Sequence, residues 1–351
     1  MILIKLILIV LIILAGVFSY AHWMESRYRL VRMPDELLYA TTKDGWKLAL
    51  SRYLPKGKRK KTPIICCHGL AGNHFGFDFT DSASVTKALT EEGYDVFLLD
   101  LRGAGWSEKP RRLSPFRYDW RFEDHVYFDA PAAINKVLEI TGAQKVHWIG
   151  HSMGGMIAYA LSQTDIADKI ASFTAIDSPA TFDQYKKIAS LQGILRIFPV
   201  LHVRFISLLG TPFFMGKEGF FNKVSGAIDI EPGMGPYFIV NFNENVPMTL
   251  IQQFADWIRN NQVSGSDGKN YIEGLEKIDK PFLFTSGDED FTAVPASVRF
   301  AYDKCGSKDK KLLTFGKASG SVGPYGHLTP LIGKNAAKEV YPLLVSWLNA
   351  H

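Results

Sequence analysis

Cysteine is scarce in this chain, with three among 351 residues. The number is odd, and Cys66 and Cys67 are adjacent within one apolar run. Neighbours on a strand point to opposite faces, which makes these two poor disulfide partners for each other. Cysteine therefore leaves the compartment unsettled. No metal-ligand spacing is present, and there is neither a low-complexity tract nor an internal repeat. An excess of one charge is also missing: the formal net charge of +5 is modest and spread out, so no nucleic-acid partner is indicated. The densest basic run, Lys56-Gly-Lys-Arg-Lys-Lys61, reads as a solvated hairpin turn. Contact with anionic phospholipid headgroups is the sharper alternative. What is present is an ordinary globular composition, 47% hydrophobic and 21% charged. That suits one large α/β domain carrying an insertion.

Residues 1–21 form the first unit. Met1 to Val17 is apolar except for Lys5, and with Phe18 to Ala21 it approaches the roughly 20 residues that cross a bilayer. His22-Trp23 suits the interface, with Arg27, Arg29 and Arg32 beyond it. The expectation is a single-pass N-terminal membrane anchor. The alternative is a secretory signal cleaved near Ser19-Tyr20-Ala21, leaving a secreted or periplasmic protein.

Residues 35–179 and 280–351 read as two parts of one core. Leu37–Thr42 and Trp46–Tyr53 flank a Lys-Asp-Gly turn, a hairpin signal. Apolar strands follow at Pro63–Cys67, Val96–Asp100, Val146–Gly150, Ile170–Ile176, Pro281–Ser286 and Lys311–Phe315. Helical stretches lie between them at Ser82–Glu92 and Phe122–Ile140, and Ala336–Leu348 closes the chain. Such alternation predicts a mostly parallel sheet with helices on both faces. It fails over 180–279, where helical pieces at Ile188–Leu209 and Leu250–Ile258 surround a section rich in Gly, Pro and aromatics. A structureless loop of that length is improbable, which predicts an inserted helical cap over the site.

The chemistry centres on Gly150-His-Ser152-Met-Gly154, a G-x-S-x-G sequence between a strand and a helix. Ser152 is the candidate nucleophile and His327, in Gly326-His327, the candidate base. The orienting acid has contenders at two strand ends, Gly287-Asp288-Glu289-Asp290 and Asp177. Backbone N–H groups of Met153 and Leu70 are the candidate oxyanion donors, Leu70 lying in the His68-Gly-Leu-Ala-Gly72 loop. His68 itself suits a scaffold role.

Over 63–348, the inserted section apart, these segments resemble the α/β-hydrolase fold superfamily, in its serine esterase and lipase-like branch. His68-Gly69 resembles that family's oxyanion loop, Asp100-Leu-Arg-Gly-Ala-Gly-Trp-Ser107 its loop after the next strand, and Gly150 to Gly155 its nucleophile elbow. Gly287-Asp-Glu-Asp290 resembles the family's G-x-x-D segment, which implies Asp290 rather than Asp288 as the acid. Serine at the elbow separates the chain from the aspartate-nucleophile haloalkane dehalogenases and epoxide hydrolases, and from the cysteine of polyhydroxyalkanoate synthases. One departure is the long glycine-rich approach to the histidine, Gly316 to Gly326.

The expected activity is hydrolysis of carboxylic esters through an acyl-enzyme on Ser152, with apolar or acyl-lipid substrates. No cofactor or metal is implied. The alternatives are an acyltransferase using the same acyl-enzyme and a non-catalytic lipid-binding protein of the same fold.

Overall fold

The computed structural model describes residues 2–111, 115–185, 199–214, 229–266 and 268–351. Eight strands form one sheet: β1 (Glu36–Thr41), β2 (Lys47–Tyr53), β3 (Ile64–Cys67), β4 (Val96–Leu99), β5 (Val146–His151), β6 (Ile170–Ile176), β7 (Phe282–Gly287) and β8 (Lys310–Phe315). Their spatial order is β1-β2-β4-β3-β5-β6-β7-β8. The β1–β2 and β2–β4 pairs are antiparallel and the remaining pairs parallel. The expected hairpin is β1–β2, closed at Gly45, where φ is 93°.

β2 and β3 both pair with β4 and not with each other. The basic run Lys56–Lys61 that joins them is therefore not a hairpin turn, as the sequence suggests, but a connection that crosses the end of β4. Its backbone is pinned there by Lys56 N–H to Thr90 O at 2.8 Å and Lys60 N–H to Gly93 O at 2.8 Å. Arg59 adds an ion pair with the buried Asp95.

The central strands β3 and β4 are apolar throughout because both faces are covered. Cys66 packs in one buried cluster with Val85, Leu89, Leu344 and Leu348. Cys67 packs in another with Ala133, Val137, Met156 and Val298. All three cysteines are buried and free. The stretch after Phe122 is helical but not uniform. Phe122–Asp124 runs through a π turn, His125–Asp129, into the helix Ala130–Thr141. The turn sets His125 Nδ1 2.7 Å from Asp129 Oδ2, and Arg102 closes on the same carboxylate.

β6 and β7 are adjacent and parallel, yet the chain travels from Ile176 to Phe282 between them. The described part of this excursion holds the helices Val203–Phe214, Gly235–Phe242 and Met248–Asn260. The first of these covers only the end of the helix expected from Ile188 to Leu209; residues 186–198 and 215–228 lie outside the described set. The excursion rests on the loop after β3. Phe242 packs beside Gly72 and Gly76, and Glu244 N–H donates to Ala71 O at 2.8 Å.

The N-terminal helix runs unbroken from Ile2 to Tyr28. It is long and apolar enough to cross a membrane, and its first half is exposed. Beyond that, Ala21 and Met24 are buried against Leu208 and Val240 of the excursion. Asn241 then grips the helix exit, accepting from Leu30 N–H at 3.0 Å and donating to Tyr28 O at 2.8 Å.

Candidate active site

β5 ends at His151 and the helix Met153–Leu161 begins two residues later. Only Ser152 separates them, at φ 53° and ψ −117°. Such a backbone costs on the order of 1–3 kcal/mol for a non-glycine residue and persists where the surroundings hold it. Here Ser152 N–H donates to Ile176 O on β6 at 2.9 Å. The flanking glycines allow strand and helix to approach this closely. A Cβ on Gly150 would stand 2.1 Å from the backbone of Gly154, and one on Gly154 would stand 2.2 Å from Cys67 O. The result is a hydroxyl raised on a sharp turn, clear of its own backbone.

The loop after β8 brings His327 to this hydroxyl, with Nε2 2.9 Å from Ser152 Oγ. Nδ1 of the same ring lies 2.8 Å from Asp290 Oδ2. The other Asp290 oxygen accepts the N–H groups of Thr292 at 2.7 Å and Ala293 at 2.8 Å. Burial pushes the Asp290 carboxyl upward, but His327 and the two amides outweigh it and hold it below its usual range. A carboxylate at Nδ1 fixes the proton there, leaving Nε2 as an acceptor for the Ser152 hydroxyl proton.

Of the competing acids, Asp288 faces away. It accepts from Lys317 N–H at 3.1 Å and Tyr325 N–H at 3.0 Å, which ties down the glycine-rich approach to His327. Asp177 is fully buried behind Asp290 and makes no direct bond to His327. His68 is the scaffold residue its position suggested. Its Nε2 accepts from Leu101 N–H at 3.1 Å and its Nδ1–H donates to Gly69 O at 2.8 Å. Burial lowers its affinity for a proton. Leu70 and Met153 line one small cavity beside the elbow. Gly69 lies close to Ser152: a Cβ there would stand 2.9 Å from that of Ser152.

Two contributors escaped the sequence reading. His151, the variable residue of the elbow motif, donates from Nε2 to the His327 carbonyl at 2.7 Å, so it helps seat the base. Burial, helped by His327, drives its pKa down to about 3, keeping it neutral beside the base. Glu244 accepts from Asn73 Nδ2 at 3.0 Å, Gly105 N–H at 2.9 Å and Lys109 Nζ at 2.7 Å. It thereby stitches the excursion to two loops of the sheet. His151 was visible within the motif; Glu244 carries no pattern that marks it.

Asp177, Asp290 and His327 place an oxygen or ring nitrogen each within 4.8 Å of one another. Both His327 nitrogens are already engaged, one by Ser152 and one by Asp290, so the set is organised for proton transfer rather than for a cation. A serine hydroxyl, an imidazole and a buried carboxylate in this chain of contacts can generate a nucleophile at neutral pH.

Residues 62–319 match the family model of the alpha/beta hydrolase fold, and the chain belongs to that family. Among curated relatives it is similar to gastric triacylglycerol lipase of Rattus norvegicus, 28% identical over 90% of this chain and 88% of the relative. Among solved structures it is similar to an esterase from Exiguobacterium antarcticum, with TM-score 0.59, 17% identity and coverage of 89% and 98%. A membrane phospholipase A described as a bacterial virulence factor aligns over 99% of this chain and 97% of its own, with TM-score 0.54 and 19% identity.

Proposed function

We propose that this chain is a carboxylic ester hydrolase that cleaves apolar acyl esters, membrane lipids among them, through an acyl-enzyme on Ser152. The observation that carries the reading is the unbroken path from Ser152 Oγ through His327 to Asp290, at 2.9 and 2.8 Å. In it, His327 Nε2 takes the hydroxyl proton as Oγ attacks the ester carbonyl. Asp290 stabilises the imidazolium that forms. The backbone amides of Leu70 and Met153 receive the oxyanion, each worth about 3 kcal/mol in the transition state. His327 then returns its proton to the leaving alcohol and activates the water that releases the acid. Similarity to the rat gastric lipase supports the ester reading.

The N-terminal helix supports the reading of an apolar, lipid-like substrate. Its exposed apolar half suits a single-pass anchor, and its second half is packed on the excursion over 180–279. That excursion, read as the cap, rests on the loop that carries Leu70. Substrate drawn from the bilayer would thus meet the cap first. In this division, 35–179 and 280–351 form the catalytic core.

The test is hydrolysis of p-nitrophenyl esters from acetyl to palmitoyl by the full chain in detergent, beside Ser152→Ala. Rates that rise with chain length and vanish in Ser152→Ala are expected. Hydrolysis that survives in Ser152→Ala would defeat the proposal. Anchoring is checked separately, by carbonate extraction and by the mass of the mature N-terminus.

A further inference from the structure

Directly behind the Ser152–His327–Asp290 path lies a second acid that this path does not use. Asp177 follows β6, is fully buried, and turns through a φ of 46°. Its Oδ1 accepts from Thr285 Oγ1 at 3.2 Å. Its Oδ2 has no hydrogen-bond partner. One Asp177 oxygen, one Asp290 oxygen and a ring nitrogen of His327 fall within 4.8 Å of one another.

Two carboxylates this close, both shut off from water, do not both ionise. The surroundings decide which one holds the charge. Asp290 has the imidazole and two amide donors; Asp177 has one hydroxyl at long range, the Gly287 amide and an orphan oxygen. A neutral carboxyl tolerates that poverty of donors far better than an anion does. Consistently, burial and then the charge of Asp290 push the Asp177 carboxyl well above its ordinary range. The other titratable group set against Asp177 is Tyr159, on the helix after the elbow. Burial raises it as well, and it stays neutral.

We propose that Asp177 and Asp290 form a buried carboxyl pair holding one negative charge and one proton, in which Asp177 is the reserve acid for His327. It is a positioning residue. While Asp290 is ionised, Asp177 keeps the proton and leaves His327 to its neighbour. With the Asp290 carboxylate removed, Asp177 releases its proton to solvent and becomes the anion that orients Nδ1, directly or through one water. The proposal rests on the reading of Ser152 as nucleophile and His327 as base.

The experiment follows kcat/KM on a short-chain p-nitrophenyl ester against pH, using the full chain in detergent. It compares wild type, Asp290→Ala, and the Asp177→Asn/Asp290→Ala double variant. Asp290→Asn is added because it preserves an acceptor for the Thr292 and Ala293 amides if the alanine variant folds poorly. The single Asp290 variants are expected to lose on the order of 10²-fold, against about 10⁴-fold for the double, the loss typical of a triad without its acid. Their acid limb moves to higher pH than that of wild type, since Asp177 must first lose its proton. Infrared spectroscopy of wild type at neutral pH shows a protonated-carboxyl stretch that Asp177→Asn removes.

The pair is overturned if both Asp290 variants, folded by circular dichroism, are as slow as the double at every pH. It is equally overturned if no such stretch is present. Hydrolysis that persists in Ser152→Ala overturns the underlying triad reading, and the pair with it.

Discussion

Among the described residues, buried histidine–aspartate contacts recur at His327–Asp290, His74–Asp100 and His125–Asp129, and the first two differ in that only His327 faces a nucleophile. His327 Nδ1 meets Asp290 at 2.8 Å, and His74 Nδ1 meets Asp100 at 2.8 Å. The first ring passes its other nitrogen to Ser152, while Nε2 of the second has no partner and lies sealed between Phe75 and Trp106. Asp100 also accepts His74 N–H at 2.9 Å and Trp106 N–H at 2.9 Å, joining the loops after β3 and β4. Burial lowers the His74 pKa, but the charge of Asp100 outweighs it and the net shift is upward. Burial likewise raises Asp100, yet His74 brings it down to about 2. The difference teaches that a His–Asp pair is chemically idle until its free nitrogen has a hydroxyl to deprotonate. Without one, the same pair is a clamp.

That contrast can be broken most strongly at the serine. Ser152→Ala or His327→Ala is expected to lower kcat by at least about 10⁴-fold, with a melting temperature close to wild type, as ester kinetics and calorimetry will show. The clamp should behave in the opposite manner. Asp100→Ala strands a buried imidazole and two amides, and should cost about 3–5 kcal/mol in urea unfolding. Its folded fraction should still label at Ser152 with an active-site organophosphonate.

A smaller effect sharpens the comparison through a histidine that has no acid partner. His147 lies on β5 with Nδ1 2.8 Å from Ser172 Oγ. Burial, reinforced by His351, moves its pKa down from 6.5 to about 4. The unfolded chain binds this proton more readily, so stability is present above pH 6.5 and is lost as pH falls toward about 4. The loss is roughly 3 kcal/mol. Thermal unfolding from pH 7 downward should show it, and His147→Asn should show less of it. The raised pKa of His74 gives the reverse sign: its contribution is full below pH 6.5 and fades as pH rises through the folded value. Smallest of all is the half-exposed pair of Arg204 and Glu25, at 2.5 Å between the excursion and the N-terminal helix. Arg204→Ala should cost less than about 1 kcal/mol.

Much of this was legible from residue pattern. The strands announced themselves because buried parallel strands are apolar on both faces, as Ile64–Cys67 and Val96–Leu99 are. Cys66 and Cys67 divide between the two clusters as strand alternation requires. Ser152 and His327 could be picked out because each sits in a glycine-marked segment after a strand, whereas pattern alone left Asp177 and Asp290 as rival acids and only the family resemblance favoured Asp290. Strand order was not legible. The placement of β4 between β2 and β3 depends on long-range pairing, so the basic run Lys56–Lys61 looked like a local turn. Nor could pattern reveal that Asp177 and Asp290 share one pocket, for they are joined only by the pairing of β6 with β7. Glu244 was hidden for the same reason, its partners being Asn73, Gly105 and Lys109 from distant stretches.

The grip of Asn241 on the exit of the N-terminal helix has a consequence for how this protein would meet its substrate. With Tyr28 and Leu30 both held by one side chain of the excursion, the helix exit is tied directly to the body. A chain anchored by that helix would move with it rather than swing on a tether. Under the proposed anchoring, its serine would then keep a constant height above the lipid surface. For the lipid esters proposed above, encounter would become a search in two dimensions, governed by lateral diffusion and by the density of lipid in the plane rather than by concentration in water.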